Sequence, residues 1–185
     1  ISAHPFYLNN SKVKKYVIPI RPDFYGSLFK DGKLRPPTLF DKAPDSINEI
    51  QGNTIVKAYI SNSKNQKPKK GDLLFFYSSK VNKVIEPFGV LESIEIVKDF
   101  DKLWSIVRKK TVFTEKELRD WLKEKKELHV ITFRLIAYLK KNISLSKIKK
   151  IDSFKNKLQT ITELKETDYI KLSNEGYFDE RYIIN

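Results

Sequence analysis

Hydrophobic and polar positions alternate through residues 52–63, which read "GNTIVKAYISNS". Alternation of this kind is typical of a β-strand, in which successive side chains point to opposite faces. Lys57, Tyr59 and Ser61 are therefore expected on one face, and the apolar residues between them on the other. The apolar face is suited to packing in a protein core, whereas the polar face is expected to face solvent or a ligand.

Four other segments predict strands, by alternation or by their β-branched and aromatic content. They are "YVIPI" (Tyr16–Ile20), "LLFFYSS" (Leu73–Ser79), "GVLESIEIVK" (Gly89–Lys98) and "LHVITFRLIAYL" (Leu128–Leu139). The second is a nearly continuous apolar run, which predicts a strand buried on both faces. Residues 81–88, "VNKVIEPF", are predicted to be a connection. Residues 34–53, rich in Pro, Asp and Asn, are predicted to be an irregular loop.

Helices are predicted between and after these strands, from apolar spacing and from cap residues. The first helix is predicted to begin at Pro22, the second to span residues 99–110 and the third to run from Glu115 to Lys125. A short fourth helix is predicted after a cap at Ser144 or Ser146, and a fifth at residues 161–176. The third has the clearest start, because Thr114 and Glu117 have the spacing of a capping box.

The order of these elements predicts an α+β fold, because strands and helices do not alternate regularly as in a βαβ fold. We expect a small mixed β-barrel with surrounding short helices, formed by a single domain of residues 1–185. The length is sufficient for one domain with its own core. The chain starts at Ile1 and not at Met, so it can be a fragment of a longer protein.

The chain is strongly basic, with 36 Lys and Arg against 23 Asp and Glu and a formal net charge of +13. The surplus lies in clusters at residues 12–15, 64–70, 108–110 and 147–150. A surplus of this size favours polyanionic partners, because a protein that binds nucleic acid releases its counterions. The alternative is that the charge serves solubility alone.

The composition excludes several kinds of chemistry. The chain contains no cysteine, which rules out disulfides, thiolate metal sites and cysteine nucleophiles. His4 and His129 are its two histidines, and their distance in sequence disfavours a zinc site or a serine–histidine triad. No apolar run approaches the roughly 20 residues of a membrane span. We expect no cofactor, no metal, no membrane association and no signal peptide, and a cytoplasmic location.

Three segments follow one another between residues 52 and 97: "GNTIVKAYIS", "GDLLFFYSS" and "FGVLESIEIV". This series resembles the PUA-like superfamily in its ASCH and EVE branches. In those domains a glycine-led strand with a lysine precedes a Gly-Asp turn, an apolar strand and a strand that begins with Gly-Val. The flanking segments look like the PUA-like half of proteins that carry an N-terminal acetyltransferase or nuclease domain.

The resemblance implies recognition of RNA or modified bases in a basic cleft beside the barrel. A lysine can contact a phosphate, an aromatic ring can stack on a base for ~1–3 kcal/mol, and hydroxyl or amide groups can hold polar edges. The candidate nucleic-acid-binding residues are Arg21, Lys57, Tyr59, Ser61, Asn62, Tyr77, Ser78, Ser79, Arg108, Lys110 and Arg134.

Structural roles compete with some of these assignments. Lys57 can extend along a solvated face, and Arg108 and Lys110 can form a solvated helix end. Arg134 lies among apolar residues, so it needs either an anionic ligand or a carboxylate partner, for which Glu92 is the candidate.

Three functions follow from the residues and the resemblance. The first is a PUA-like domain that binds nucleic acid, RNA rather than DNA, and is not catalytic by itself. The second is an ASCH-like ribonuclease or nucleoside amidohydrolase, in which Lys57 acts with Thr54, Tyr77 and Glu92. The third is an accessory module that packs on an acetyltransferase or nuclease domain.

The residues after the lysine favour the first function over the second. An ASCH domain typically has an acidic residue and an arginine there, whereas this chain has Tyr59 and Ser61. We therefore expect binding and not hydrolysis.

Overall fold

The fold is taken from a computed structural model, which describes residues 5–29, 55–61, 65–79, 83–111, 113–154, 158–178 and 180–184. The strands are β1 (Tyr7–Leu8), β2 (Lys15–Ile20), β3 (Val56–Ser61), β4 (Leu73–Ser78), β5 (Val84–Val97), β6 (Leu128–Ser144), β7 (Thr162–Leu164) and β8 (Ile183–Ile184). The α-helices are α1 (Pro22–Leu28), α2 (Phe100–Val107), α3 (Glu115–Lys125), α4 (Leu145–Ile148) and α5 (Glu166–Gly176). Short 3₁₀ helices occupy Asp152–Phe154 and Glu180–Tyr182.

Six strands form one mixed sheet in the order β3-β6-β5-β4-β2-β7. β2 runs parallel to β4, and the other neighbouring strands are antiparallel. β1 and β8 form a separate parallel pair. The predicted α+β class is therefore confirmed.

The sheet curls, but strand pairing does not close it into the predicted barrel. Phe76 of β4 and Phe133 of β6 have ring centroids 4.3 Å apart, although β5 lies between their strands. Strands two places apart lie about 10 Å apart in a sheet, so their side chains meet only on a strongly concave face. The strands at the two ends of the sheet, β3 and β7, do not pair among the described residues.

Two faces of the curled sheet bury separate cores. The concave inner face is covered by α1 and buries Tyr16, Ile18, Ile20, Tyr25, Leu28, Phe29, Tyr59, Leu74, Phe76, Leu91, Ile131 and Phe133. The outer face is covered at one end by α5, whose Tyr169 and Leu172 pack on Phe75 and its neighbours. At the other end, α2 and α3 pack against β3 and β6. β4 is buried on both faces, as its apolar run predicts.

Local sequence explains most of the element boundaries. Thr114 and Glu117 form the predicted capping box at the start of α3. Gly71 has a φ of +94°, which a glycine adopts without steric cost, and it turns the chain into β4. The predicted connection at residues 81–88 is wrong in part, because residues from Val84 onward belong to β5. Pro87 lies there at a β-bulge, where a strand tolerates proline.

The long β5 strand carries Ile85 into the outer core, between Tyr77 of β4 and Ile143 of β6. The loop predicted for residues 34–53 lies outside the described residues. In the part of the chain that is described, no helix is long and apolar enough to cross a membrane.

Candidate nucleic-acid interface

The carboxyl ends of β2 and β4 lie side by side, because the two strands are parallel. Ser78 pairs with Ile20 in the strand register. Ser79 then donates its backbone N–H and its hydroxyl to the Ile20 carbonyl, at 3.2 and 2.9 Å. Two of the predicted site residues, Ser78 and Ser79, are therefore held next to a third, Arg21, which directly follows Ile20.

Tyr59 approaches the same place from β3. Its hydroxyl hydrogen-bonds to the Arg21 main chain, although three strands separate β2 from β3 in the sheet order. Burial raises the pKa of Tyr59 to about 12, against the opposing effects of the hydrogen bond and the charge of Arg21. We call this place, formed by Arg21, Tyr59, Ser78 and Ser79, the Arg21 corner.

Arg21 itself is exposed at the corner. Its guanidinium carbon lies 4.9 Å from the ring centroid of Phe24, a cation–π distance. A cavity of about 170 Å³ adjoins it, lined by Arg21, Phe24, Ile60, Trp121, Glu124, Lys125 and Leu128. Two cationic residues, Arg21 and Lys125, and two aromatic residues, Phe24 and Trp121, therefore line one cavity beside the corner. The sequence did not indicate this role for Lys125 and Trp121, because α3 is distant from Arg21 in sequence.

Lys57 and Ser61 share the inner face with Tyr59, as the alternation predicts. The expectation that Lys57 extends along a solvated face is wrong, because its side chain is only 1% exposed. It lies opposite Phe133 in the register of β3 and β6, within the concave core. Ser61 is buried as well. A contact of either residue with nucleic acid stays a prediction.

Arg108 and Lys110 approach β3 from its free edge. The Lys110 carbonyl accepts a hydrogen bond from the Ala58 N–H at 2.9 Å, so the residues after α2 cover this edge. Arg108 forms the exposed C-cap of α2. Lys110 therefore lies beside Ala58, the residue that precedes Tyr59 in β3.

Arg134 and Tyr77 do not join the corner. Arg134 pairs with Val56 and Val90 in register and belongs to the outer face. Its Nε lies 3.7 Å from Glu92 Oε1, so the predicted carboxylate partner is present. Tyr77 packs in the outer core, whereas the side chain of Tyr59 belongs to the inner face. Asn62 lies outside the described residues.

The residues grouped for a hydrolytic enzyme are likewise on different faces. Lys57 points to the inner face, whereas Tyr77 and Glu92 belong to the outer face. Thr54 lies outside the described residues. No group of three or more His, Asp or Glu side chains in the described ranges could hold a metal ion.

Glu86 is a titratable residue near the inner face that the sequence did not indicate as a candidate. Burial raises the pKa of Glu86, while the neighbouring Asn142 and Tyr25 side chains oppose this shift. Glu86 lies in the segment that was predicted to be a connection. Nothing in its sequence context indicated that it would be partly buried near α1.

Comparison with known proteins identifies the family. Residues 50–165, more than half of the chain, match the family described as a domain of unknown function, DUF365. The chain belongs to the DUF365 family. No curated protein matches the sequence of this DUF365 chain.

Solved structures place the DUF365 chain among ASCH proteins in fold. The crystal structure of ASCH from Zymomonas mobilis aligns with a TM-score of 0.59 at 20% identity, over 87% of this chain and 94% of that one. A serine-to-alanine variant of that protein gives a TM-score of 0.61 at 19% identity, over 87% and 95%. A hypothetical protein from Leishmania major gives 0.51 at 12% identity, over 89% and 95%. The resemblance to ASCH-type PUA-like domains is confirmed, and at these identities the likeness concerns the fold alone.

Proposed function

We propose that this DUF365 chain is a PUA-like domain that binds nucleic acid at the Arg21 corner, RNA rather than DNA, and is not catalytic by itself. The observation that carries the proposal is the position of Arg21. Arg21 is exposed, its main chain hydrogen-bonds to the Tyr59 hydroxyl, and it lines a cavity together with Phe24, Trp121 and Lys125.

The chemistry of the corner suits a nucleotide chain. Arg21 and Lys125 supply positive charge for phosphate oxygens, which give affinity but carry no sequence information. Phe24 and Trp121 supply aromatic surface against which a base can stack. Arg108 and Lys110 add positive charge in the segment that covers the edge of β3, where the nucleotide chain could continue.

The buried Tyr59 of the inner face holds the main chain of the Arg21 corner in place. Burial raises the pKa of Tyr59 to about 12, so it keeps its proton at neutral pH and its hydroxyl contacts the Arg21 main chain as a neutral group. Lys57 lies on the same inner face, opposite Phe133.

The first test is fluorescence anisotropy with single- and double-stranded RNA and DNA of matched sequence, over a series of salt concentrations. We expect single-stranded RNA to bind most tightly, and affinity to fall steeply with salt, with a slope that counts phosphate contacts. Arg21→Gln should weaken binding about fivefold to tenfold and reduce the slope by ~0.7. Tyr59→Phe keeps the ring and removes the hydroxyl contact with Arg21, so it should weaken binding by a smaller factor.

Arg119→Gln is the matched control. Arg119 is also an exposed arginine over an aromatic ring, 3.6 Å from the centroid of Phe100, but it lies on α3 and does not line the corner cavity. Equal losses of affinity for Arg21→Gln and Arg119→Gln would show that only total charge matters. Absence of binding by the wild-type chain at low salt would refute the proposal.

The remaining predictions about partners and location are not changed by the fold. Packing on an acetyltransferase or nuclease domain and a cytoplasmic location stay predictions. For the enzyme alternative, the grouping of Lys57 with Tyr77 and Glu92 is not supported, since these side chains are on different faces.

A further inference from the structure

A second cavity lies on the outer face, between α4 and α5. Its volume is about 460 Å³, and its lining consists of Ile143, Lys147, Lys150, Ile151, Lys171, Asn174, Glu175 and Tyr177. Ile143 and Ile151 belong to the outer core, so the cavity is on the opposite face from Lys57 and Tyr59. It is therefore distinct from the Arg21 corner.

Positive charge dominates this cavity, since three lysines face a single glutamate. Glu175 is paired with Lys147, and the pKa of Glu175 is lowered mainly by this hydrogen bond, with smaller effects from the charges of Lys141 and Lys150. Lys171 lies 3.6 Å from the buried Asp168. Lys150 forms no ion pair within the described ranges of the chain, so its ammonium group is available to an anion.

Tyr177 adds an aromatic surface at the rim. Its side chain is 59% exposed, and the Lys141 ammonium lies 5.7 Å from its ring centroid. Its backbone has a φ of 50°, the left-handed conformation that ends α5. A glycine normally takes this C-terminal position, because a side chain there costs energy. Tyr177 therefore presents an exposed ring beside the positive charge of the cavity.

We propose that the α4–α5 cavity is a second nucleic-acid contact, which takes one nucleotide of a single strand. The base stacks on Tyr177, and the phosphate lies at Lys150, while Glu175 holds Lys147 at the cavity wall. This inference rests on the proposed function, because it assumes that the chain binds nucleic acid. The α4–α5 cavity is a separate site from the Arg21 corner, and the similarity in fold to ASCH proteins does not indicate it.

The decisive variant is Tyr177→Gly. Glycine relieves the left-handed backbone, so the variant should have a higher melting temperature than the wild type. It also removes the stacking ring, so it should bind a short fluorescein-labelled oligouridine about tenfold more weakly. Tyr177→Phe keeps the ring and should bind like the wild type. A change that only damaged the fold would not combine greater stability with weaker binding.

The charge is tested by Lys150→Gln, with Lys116→Gln as control. Lys116 is an exposed lysine of α3, away from the cavity, and the two substitutions change the net charge equally. Lys150→Gln should weaken binding about threefold to tenfold and reduce the slope of log affinity against log salt by ~0.7, as expected for one lost phosphate contact. Lys116→Gln should leave the slope unchanged.

Comparison with Arg21→Gln separates the two sites. Weaker binding for Tyr177→Gly and Lys150→Gln, with no effect of Arg21→Gln, supports the α4–α5 cavity and overturns the Arg21 corner. The reverse pattern overturns the α4–α5 cavity and leaves the proposed function intact. Effects at both places support two contacts on one strand. If the wild type binds no oligouridine, both proposals fail.

Discussion

Gly89 on β5 faces the backbone of Arg134 on β6 so closely that a Cβ atom at Gly89 would lie 2.5 Å from the Arg134 carbonyl oxygen. Real Cβ atoms essentially never approach another atom this closely. The obstacle is backbone within a paired sheet, so it cannot turn aside as a flexible side chain could. This contact gives a physical reason for a glycine directly before Val90, within β5.

Gly89→Ala should therefore lower the free energy of unfolding by about 1–3 kcal/mol, the usual cost of overpacking a core. Urea denaturation measured by tryptophan fluorescence checks this. Gly26→Ala is the control, because nothing lies within 4 Å of a Cβ added there and Gly26 lies within α1. Alanine is the better helix former by about 1 kcal/mol, so the control should be stabilised. Equal effects of the two changes would contradict the close contact.

Lys15 and Glu166 form an ion pair with unequal burial. The Lys15 side chain is 1% exposed and that of Glu166 is 56% exposed, with Nζ and Oε2 2.9 Å apart. Lys15 also donates to the Asn10 carbonyl at 3.1 Å. Glu166→Gln leaves the buried ammonium without a negative partner and should cost about 1–3 kcal/mol. Lys15→Met leaves only a carboxylate that water can solvate, and it should cost less than about 1.5 kcal/mol.

The neighbouring pair of Lys14 and Glu163 provides the comparison. Its two side chains are both well exposed, and their charged atoms lie 2.8 Å apart. Glu163→Gln should change the free energy of unfolding by no more than about 1 kcal/mol, as is usual for exposed pairs. If Glu166→Gln cost no more than Glu163→Gln, burial of Lys15 would not govern the energetics of its pair.

Glu86 should make stability depend on pH. Burial raises its pKa above the ordinary value of 4.5, so the folded state holds the proton more tightly than the unfolded chain. The stabilisation that Glu86 contributes is complete at pH values below its ordinary pKa, and it is lost as pH rises through the raised pKa of the folded state. We therefore compare the free energy of unfolding of the wild type with that of Glu86→Gln. The wild type's advantage over the variant should decline as pH rises from acidic toward neutral values.

Urea denaturation at a series of pH values measures this difference. Glu124→Gln, a change at an exposed glutamate of α3, is the control for general charge effects. A difference between wild type and Glu86→Gln that grew with pH would show that Glu86 is stabilised in its ionised form, contrary to its burial.

Local signals in the sequence predicted most of the individual elements. The apolar run of β4, the capping box at Thr114 and the proline start of α1 each depend on neighbouring residues only. The connection predicted at residues 81–88 was wrong in part, because residues from Val84 onward extend β5 through register shifts opposite β6. Such shifts depend on the partner strand, which the local sequence does not reveal.

The candidate site was less predictable, since it depends on how the sheet curls. Alternation correctly grouped Lys57 with Tyr59 on one face, but it could not show that this face is concave and buried. The contact between Tyr59 and Arg21 joins strands that are not neighbours. Arg134 was grouped with the site because its charge lies among apolar residues, although the register puts it on the other face.

The position of β2 constrains how the chain acquires its fold during synthesis. This strand comes early in the sequence, yet it lies between β4, which ends at Ser78, and β7, which ends at Leu164. Lys15 pairs with both Leu73 and Leu164. The sheet therefore cannot be completed until residue 164 has left the ribosome, and such distant pairings fold slowly. Until then the edge of β2 that β7 covers lacks its partner strand, and an unpaired strand edge favours aggregation.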